Sequence, residues 1–128
     1  MLATKYTGIF VTATATARQM LRFKTRGSTV LIASMSGLIA KGLISPVYNS
    51  SKAALIQLAR NLAMEWGRIQ GDGGGIRINA LSPGHIVTPM ALRNFEEVEG
   101  LRECWERELM LGKLASSRAR DCFVESGE

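Results

Sequence analysis

The sequence has few of the residues that mark metal sites, disulfide frameworks or nucleic-acid surfaces. Its 128 residues include two cysteines, Cys104 and Cys122, and a single histidine, with no C-x-x-C pair, so no zinc site is expected. A disulfide between the cysteines is the alternative, but thiols in a chain without a recognisable export signal are expected to be reduced. Aromatic residues make up 6% of the chain and the basic residues are scattered, so we expect no nucleic acid to bind despite a net charge of +5.

Long apolar runs are also missing. No run approaches the roughly 18 residues that a membrane span requires, and the segment after Met1 lacks the contiguous apolar stretch of a signal peptide. The sequence therefore predicts a soluble, cytoplasmic protein that binds no membrane. Hydrophobic residues at 46% and charged residues at 21% are ordinary values for a chain that buries a core, and 128 residues suit one domain.

The apolar pattern predicts three helices. The first runs from about Ile9 to Phe23, although alternating threonines in its first half would also suit a strand. The second begins at Ser45-Pro46, a natural cap and first-turn pair, and continues to about Ile69 with apolar residues at steps of three or four. The third is charged and spans Glu96 to Leu111, with Glu103 and Arg107 at a favourable i,i+4 spacing.

Two strands are expected between these helices. Thr29 to Ala33 is a short continuous apolar run, typical of a strand covered on both faces, and Ile76 to Leu81 forms a second strand after a loop at Gly71 to Gly75. This alternation of helices and strands predicts an α/β protein with a doubly wound parallel sheet. Two strands alone leave both sheet edges open, so further strands or another chain are expected to cover them.

Tyr48 and Lys52 form the most informative pair of side chains. They lie four residues apart near the start of the long predicted helix, so they share one face of it. A free phenol ionises near pH 10, and a phenol that exchanges protons near pH 7 needs a neighbouring positive charge, which the Lys52 ammonium can supply. The pair alone would also suit an ordinary solvated tyrosine and lysine.

Two further polar segments follow the predicted strands. Ser34-Met35-Ser36-Gly37 comes directly after the first strand, and Pro83-Gly84-His85-Ile86-Val87-Thr88 comes after the second. The carboxyl ends of parallel strands lie at one edge of a sheet, where open α/β sheets bind their ligands. We therefore expect both segments and the Tyr48–Lys52 pair to surround one crevice.

In this order and spacing, the strand ending at Ser34, the segment Tyr48-Asn49-Ser50-Ser51-Lys52 and the segment from Pro83 to Thr88 resemble the classical short-chain dehydrogenases/reductases. Ala33-Ser34-Met35-Ser36-Gly37 and Leu62-Ala63-Met64-Glu65-Trp66 are most similar to the polyol and ketose reductase branch, of the sorbitol, arabinitol, mannitol or xylulose type. The resemblance implies a partial Rossmann-like sheet and an NAD(P)-dependent oxidoreductase whose substrate is a sugar alcohol or a ketose.

The resemblance also implies the role of each site residue. Tyr48 would donate a proton to the carbonyl oxygen of the substrate during reduction. Ser34, or less readily Ser36, would hydrogen-bond the same oxygen. Lys52 would favour ionisation of the phenol and hydrogen-bond the nicotinamide ribose. The implied contacts to the nicotinamide and pyrophosphate come from Pro83, Gly84, Ile86 and Thr88. Two alternatives stay open, because a serine can simply end a strand and a threonine can simply cap a helix.

Several features of the family are missing from this sequence. It contains no strand with a Thr-Gly-x-x-x-Gly-x-Gly turn, and the glycines at 71–75 follow a helix and precede a strand, the reverse of the order that cradles a pyrophosphate. Lys5 stands where the family usually has an asparagine, and a second ammonium there would repel Lys52. We therefore expect residues 1–115 to be the catalytic part of a single domain truncated at both ends. Residues 116–128 are expected to form a divergent or disordered tail.

The cofactor and partners follow from the resemblance. The residues that separate NAD from NADP belong to the missing half, and similarity to the branch favours NADP, with NAD as the alternative. The resemblance also implies a homo-oligomer that associates through the predicted helices at Ile9 to Phe23 and Pro46 to Ile69, so a non-catalytic dimerisation fragment is the alternative function. A serine hydrolase is not expected, because the sequence has no Gly-x-Ser-x-Gly elbow, and the single histidine, His85, is interpreted as a loop residue bordering the substrate.

Overall fold

A computed structural model of the chain describes residues 2–40, 45–68 and 75–116. The chain divides into two compact units, Met1–Pro83 and Gly84–Glu128, and each is described by itself. Most of the predicted glycine loop, Cys122 and the predicted tail beyond Ser116 lie outside the described residues.

The first unit begins with a π-helical turn, Ala3–Thr7, that leads into helix α1, Gly8–Arg22. The helix expected near Ile9 to Phe23 is thus confirmed. The alternating threonines are compatible with a helix, because each hydroxyl donates to the carbonyl oxygen four residues earlier, at 2.8 to 2.9 Å. Their hydroxyls therefore need no hydrogen-bond partner on a neighbouring strand.

Helix α2 spans Pro46–Trp66, with Ser45 at its N-cap position and Pro46 in its first turn, as the sequence predicts. The Ser45 side chain accepts no capping hydrogen bond. The helix ends at Trp66, although Gly67 keeps right-handed helical angles, and the predicted end at Ile69 lies outside the described residues.

The two predicted strands are also confirmed, as β1, Ser28–Ile32, and β2, Arg77–Leu81. They pair in parallel, with Ile32 opposite Leu81 at their carboxyl ends. This parallel pair, with helices between its strands in the chain, is the α/β arrangement expected from the sequence.

One face of the β1–β2 pair carries the core of this unit. Leu55 of α2 is 0% exposed, and it belongs to one buried cluster with Leu31 of β1 and Ile78 of β2. The opposite face is open: Val30 and Ile32 are each 52% exposed. The prediction that the first strand is covered on both faces is therefore wrong, because alternate side chains point to opposite faces and only one face meets a described helix.

The described part of the second unit, residues 84–116, contains two short helices and two short strands. Strand β3, Ile86–Val87, pairs in parallel with β4, Ala115–Ser116, and helices α3, Pro89–Glu97, and α4, Leu101–Arg107, lie between them in the chain. No helix within the described ranges has the length and apolar content needed to cross a bilayer.

The single charged helix predicted from Glu96 to Leu111 is wrong. The chain leaves α3 at Val98, which is extended, and turns at Gly100 with φ 74°, a left-handed conformation that favours glycine. The predicted Glu103–Arg107 pairing is also wrong, because Arg107 Nε donates to the backbone carbonyl of Glu103 at 3.4 Å. The i,i+4 ion pair of α4 joins Arg102 and Glu106 at 3.0 Å.

The one-sided core predicts which side chains stabilise the first unit. We expect Leu55→Ala to lower the free energy of unfolding by about 2–5 kcal/mol, because it leaves a cavity in the buried cluster. Met64→Ala on the same helix is the matched control, since Met64 is 61% exposed and its removal should change stability by less than about 0.5 kcal/mol. Urea denaturation followed by circular dichroism measures both, and equal losses would contradict this assignment of the core.

Candidate active site

The carboxyl ends of β1 and β2 continue side by side beyond the strands. Ala33 N donates to Leu81 O at 2.7 Å, and Met35 N donates to Pro83 O at 3.0 Å. Ser34 lies between these two hydrogen bonds along the chain. The polar segment after β1 and Pro83 after β2 therefore lie at the same edge of the sheet, as the parallel topology predicts.

Ser34 is positioned by a 3₁₀ turn, Met35–Gly37. Its Oγ accepts a hydrogen bond from Ser36 N at 3.2 Å, which caps the turn. The bond uses Oγ as an acceptor, so the hydroxyl proton can still be donated to another oxygen. Ser34 is half-buried whereas Ser36 is 7% exposed, so Ser34 is the more accessible hydroxyl of the two.

Lys52 is held between the sheet edge and Tyr48. Its Nζ donates to the carbonyl oxygen of Ile32 at 2.9 Å and lies 5.7 Å from the centroid of the Tyr48 ring. One turn of helix α2 brings both residues to the same face. Ser51, which is fully buried, donates its hydroxyl to the Tyr48 carbonyl at 2.7 Å and holds this turn against the core.

Lys5 is a second ammonium at the Tyr48 ring. It lies in the π-helical turn before α1, and its Nζ is 4.9 Å from the ring centroid, closer than the ammonium of Lys52. Sequence reasoning placed Lys5 near Lys52 but did not place it on the phenol ring. The π turn that aims it has no recognisable signal in the sequence.

The remaining residues proposed from sequence for the cofactor belong to the second unit. Gly84 is exposed, and Ile86 is half-buried in β3. Thr88 Oγ1 accepts from Ala91 N at 3.1 Å, so Thr88 caps helix α3, the alternative role left open by the sequence.

His85 is packed inside the second unit. Its side chain is 7% exposed and its Nε2 lies 3.0 Å from Glu108 Oε2. The ring stacks on Trp105 with centroids 4.2 Å apart and planes 7° apart, and Phe95 meets Trp105 edge-on. Sequence reasoning missed these partners, because Glu108 is 23 residues away and no motif joins them.

Comparisons with known proteins identify the family to which this chain belongs. A family model described as enoyl-(acyl carrier protein) reductase matches residues 1–121. The short chain dehydrogenases/reductase notP′ of Aspergillus versicolor is 46% identical over 110 residues, which cover 85% of this chain and 37% of the relative. The chain belongs to the short-chain dehydrogenase/reductase family.

Other relatives have polyols in their names. The D-arabinitol 2-dehydrogenase (ribulose-forming) of Scheffersomyces stipitis is 36% identical, over 87% of this chain and 38% of the relative. A solved mutant of 4-hydroxyisoleucine dehydrogenase complexed with NADH and succinate matches with a TM-score of 0.76 and 30% identity, over 90% of this chain and 44% of that one. This member of the short-chain dehydrogenase/reductase family thus spans 37–38% of the length of the two curated relatives named here.

In this chain, Gly37 allows the 3₁₀ turn that follows Ser34 to approach helix α2 closely. A Cβ at Gly37 would lie 2.7 Å from Ala53 N and 2.7 Å from Lys52 C, both backbone atoms that cannot move aside cheaply. Only glycine allows the 3₁₀ turn and the Lys52 backbone to meet at this distance.

We expect Gly37→Ala to lower the free energy of unfolding by about 1–3 kcal/mol, because the turn must shift away from the helix. Gly8→Ala is the matched control: its Cβ would make an ordinary 3.7 Å contact with Ala3 O, and alanine is the better helix former. Thermal unfolding of both variants measures the difference. A stable Gly37→Ala variant would show that this close approach is not present.

Proposed function

We propose that this chain carries the proton-transfer site of a nicotinamide-dependent oxidoreductase that interconverts a secondary alcohol and a ketone. The observation that carries the proposal is the position of Lys52, whose ammonium lies between the carboxyl end of β1 and the Tyr48 ring. A positive charge next to a phenol at the ligand-binding edge of an open α/β sheet is an arrangement suited to acid–base chemistry.

Each side chain has a distinct role in the proposed reaction. In reduction, Tyr48 Oη donates a proton to the carbonyl oxygen of the substrate, and in oxidation it takes the proton back. The Ser34 hydroxyl donates a hydrogen bond to the same oxygen and stabilises the negative charge that develops there. Lys52, beside the phenol, offers its ammonium to the ribose of the cofactor.

The chain offers contacts for one part of a nicotinamide dinucleotide. This cofactor supplies or accepts the hydride when bound. The bond to Ile32 O uses one of the three ammonium hydrogens of Lys52, so two stay available for ribose hydroxyls. Pro83, which lies at the same edge of the sheet, is proposed to contact the nicotinamide, and the contacts of Gly84, Ile86 and Thr88 stay predictions from the sequence.

The residues of this chain do not supply contacts for the whole dinucleotide. The sequence holds no glycine-rich strand-to-helix turn, the element that ordinarily binds the pyrophosphate through backbone amides. We propose NADP rather than NAD because the sequence is most similar to the polyol and ketose reductase branch of the family. The solved relatives include proteins complexed with NADH and with NADP.

A polyol or ketose is the proposed substrate class. Support comes from relatives named D-arabinitol 2-dehydrogenase, galactitol 2-dehydrogenase and L-xylulose reductase, which are 36–40% identical to this chain. Such substrates present several hydroxyls, and the Ser34 and Tyr48 hydroxyls would select the one that reacts.

We also propose that the protein is a homo-oligomer that associates through α1 and α2. Exposed apolar side chains on these helices support this, including Phe10 at 42% and Val11 at 58% exposure on α1 and Val47 at 50% on α2. The same observation favours the second candidate function, a non-catalytic dimerisation module. A cytoplasmic location stays a prediction.

The catalytic role of Tyr48 is tested by removing its hydroxyl. In the protein that contains this chain, we expect Tyr48→Phe to lower turnover of D-arabinitol by at least ~10²-fold, the usual share of general acid–base catalysis. Tyr6→Phe is the matched control and should leave turnover unchanged. Turnover is followed by the absorbance of the reduced cofactor, with NAD and NADP compared. Full activity of Tyr48→Phe would leave the dimerisation module as the better candidate.

The partial cofactor site gives a prediction for the 128-residue chain alone. We expect calorimetric titration with NADPH to show no saturable binding, because these 128 residues lack the glycine-rich turn that ordinarily holds the pyrophosphate. Titration with NADH should give the same result. A micromolar dissociation constant would mean that these residues suffice to bind the dinucleotide.

A further inference from the structure

We propose that the amino end of the β1–β2 pair binds a small molecule that carries a phosphate monoester, held between the guanidinium groups of Arg26 and Arg77. This end of the strands is opposite the end that carries Ser34 and Lys52. Four residue steps of about 3.3 Å separate Ser28 from Ile32, so roughly 13 Å of strand lies between the two sites. Failure of this proposal would leave the proposed proton transfer unchanged.

An open cleft lies where the two strands begin. It has a volume of about 620 Å³, and its described lining consists of Arg26, Gly27, Ser28, Gly75 and Arg77. Small-molecule sites in proteins are clefts of about 300–1,000 Å³. The cleft therefore has room for a phosphate group together with a small body attached to it.

Pairing of the two strands fixes the backbone that carries these side chains. Ser28 is opposite Arg77 in the register of β1 and β2, and Arg77 N donates to Gly27 O at 3.0 Å. Residues opposite each other point to the same face of a sheet, on strands about 4.8 Å apart. The Ser28 hydroxyl and the Arg77 guanidinium are therefore neighbours on one face of the pair.

No described carboxylate balances the charge of the two arginines. In the part of the chain that the structure describes, neither the Arg26 nor the Arg77 guanidinium forms a hydrogen bond or an ion pair. The unit Met1–Pro83 holds ten Lys and Arg against two Asp and Glu, a net charge of +8. Its two carboxylates are Glu65, which lines a different cleft, and Asp72, which lies outside the described residues.

The donors at the cleft indicate the class of anion. Two guanidinium groups provide a charge of +2 and planar forks of N–H donors that match the oxygens of phosphate and carboxylate. The Ser28 hydroxyl adds a further donor. A phosphate monoester carries a charge of about −1.5 to −2 at pH 7 and has three acceptor oxygens, so it matches these donors better than a monocarboxylate does.

Exposure to solvent limits the affinity of this site. Arg26, Ser28 and Arg77 are all exposed, so water screens their attraction for an anion. We therefore expect a dissociation constant of about 1 mM for a phosphate monoester. A titration that reaches only micromolar NADPH does not saturate so weak a site, which agrees with the result expected above for the 128-residue chain.

The test titrates the isotope-labelled 128-residue chain with glycerol phosphate and follows its amide resonances by nuclear magnetic resonance. We expect the resonances of Gly27, Ser28 and Arg77 to shift with a midpoint of about 1 mM. Those of Ser34 and Gly37, beyond the other end of β1, should stay unchanged. Glycerol is the matched ligand control and should cause no shift, because it lacks the phosphate group.

Charge removal tests the two arginines. Arg26→Gln and Arg77→Gln should each weaken the binding of glycerol phosphate by at least about fivefold, because each removes charge-assisted hydrogen bonds to the phosphate. Arg18→Gln is the matched control, since it removes the same charge at an exposed position of α1 that does not line the cleft. Equal weakening in Arg18→Gln would indicate attraction to the net charge of the unit and would overturn the proposal.

Other outcomes would also overturn the proposal. Shifts centred on Ser34 would assign the phosphate to the candidate active site, and binding seen only in Asp72→Asn would mean that the Asp72 carboxylate neutralises the cleft. Tighter binding of a phosphoserine peptide than of glycerol phosphate would assign the cleft to a protein partner. If Arg77→Gln does not fold, Arg26→Gln decides, because Arg26 precedes the strand, and unchanged binding in that variant contradicts the site.

Discussion

The packing of α2 against one face of the β1–β2 pair is the contact on which the candidate site depends. Leu55 is 0% exposed in this interface, and Lys52 precedes it by about one helical turn. Burial of Leu55 therefore fixes the position of α2 along the direction of the strands. In that position the Lys52 ammonium donates to the Ile32 carbonyl oxygen at 2.9 Å, one helical turn from Tyr48. The site geometry is thus a consequence of core packing and not of a separate scaffold.

The sequence predicted the elements whose formation is local. Helices α1 and α2 follow from the period of their apolar residues, strands β1 and β2 follow from short apolar segments, and the parallel pairing follows from the order of these elements. An error arose where a single residue outweighed the pattern, as Gly100 did between α3 and α4. Gly100 was visible in the sequence, so this boundary was within reach of the same reasoning.

Contacts between distant segments could not be predicted in the same way. The spacing of Tyr48 and Lys52 indicated a shared helix face, which the structure bears out, but it could not show that Ile32 accepts the lysine hydrogen bond. Strands β3 and β4 have two residues each, too short to carry a periodic pattern. The bond between His85 and Glu108 joins residues 23 apart, and only the tertiary fold brings such a pair together.

The open face of the β1–β2 pair separates the residues proposed for proton transfer from those needed to bind the dinucleotide. Val30, Ile32 and Leu81 are 52–54% exposed on that face, where a doubly wound sheet carries its second layer of helices. The side chains proposed for proton transfer all come from the other layer and the sheet edge, so their geometry does not require the open face to be filled. Pyrophosphate binding does require a glycine-rich turn from another strand. Proton chemistry and dinucleotide anchoring are therefore separable in this fold, and this chain holds the residues for the first.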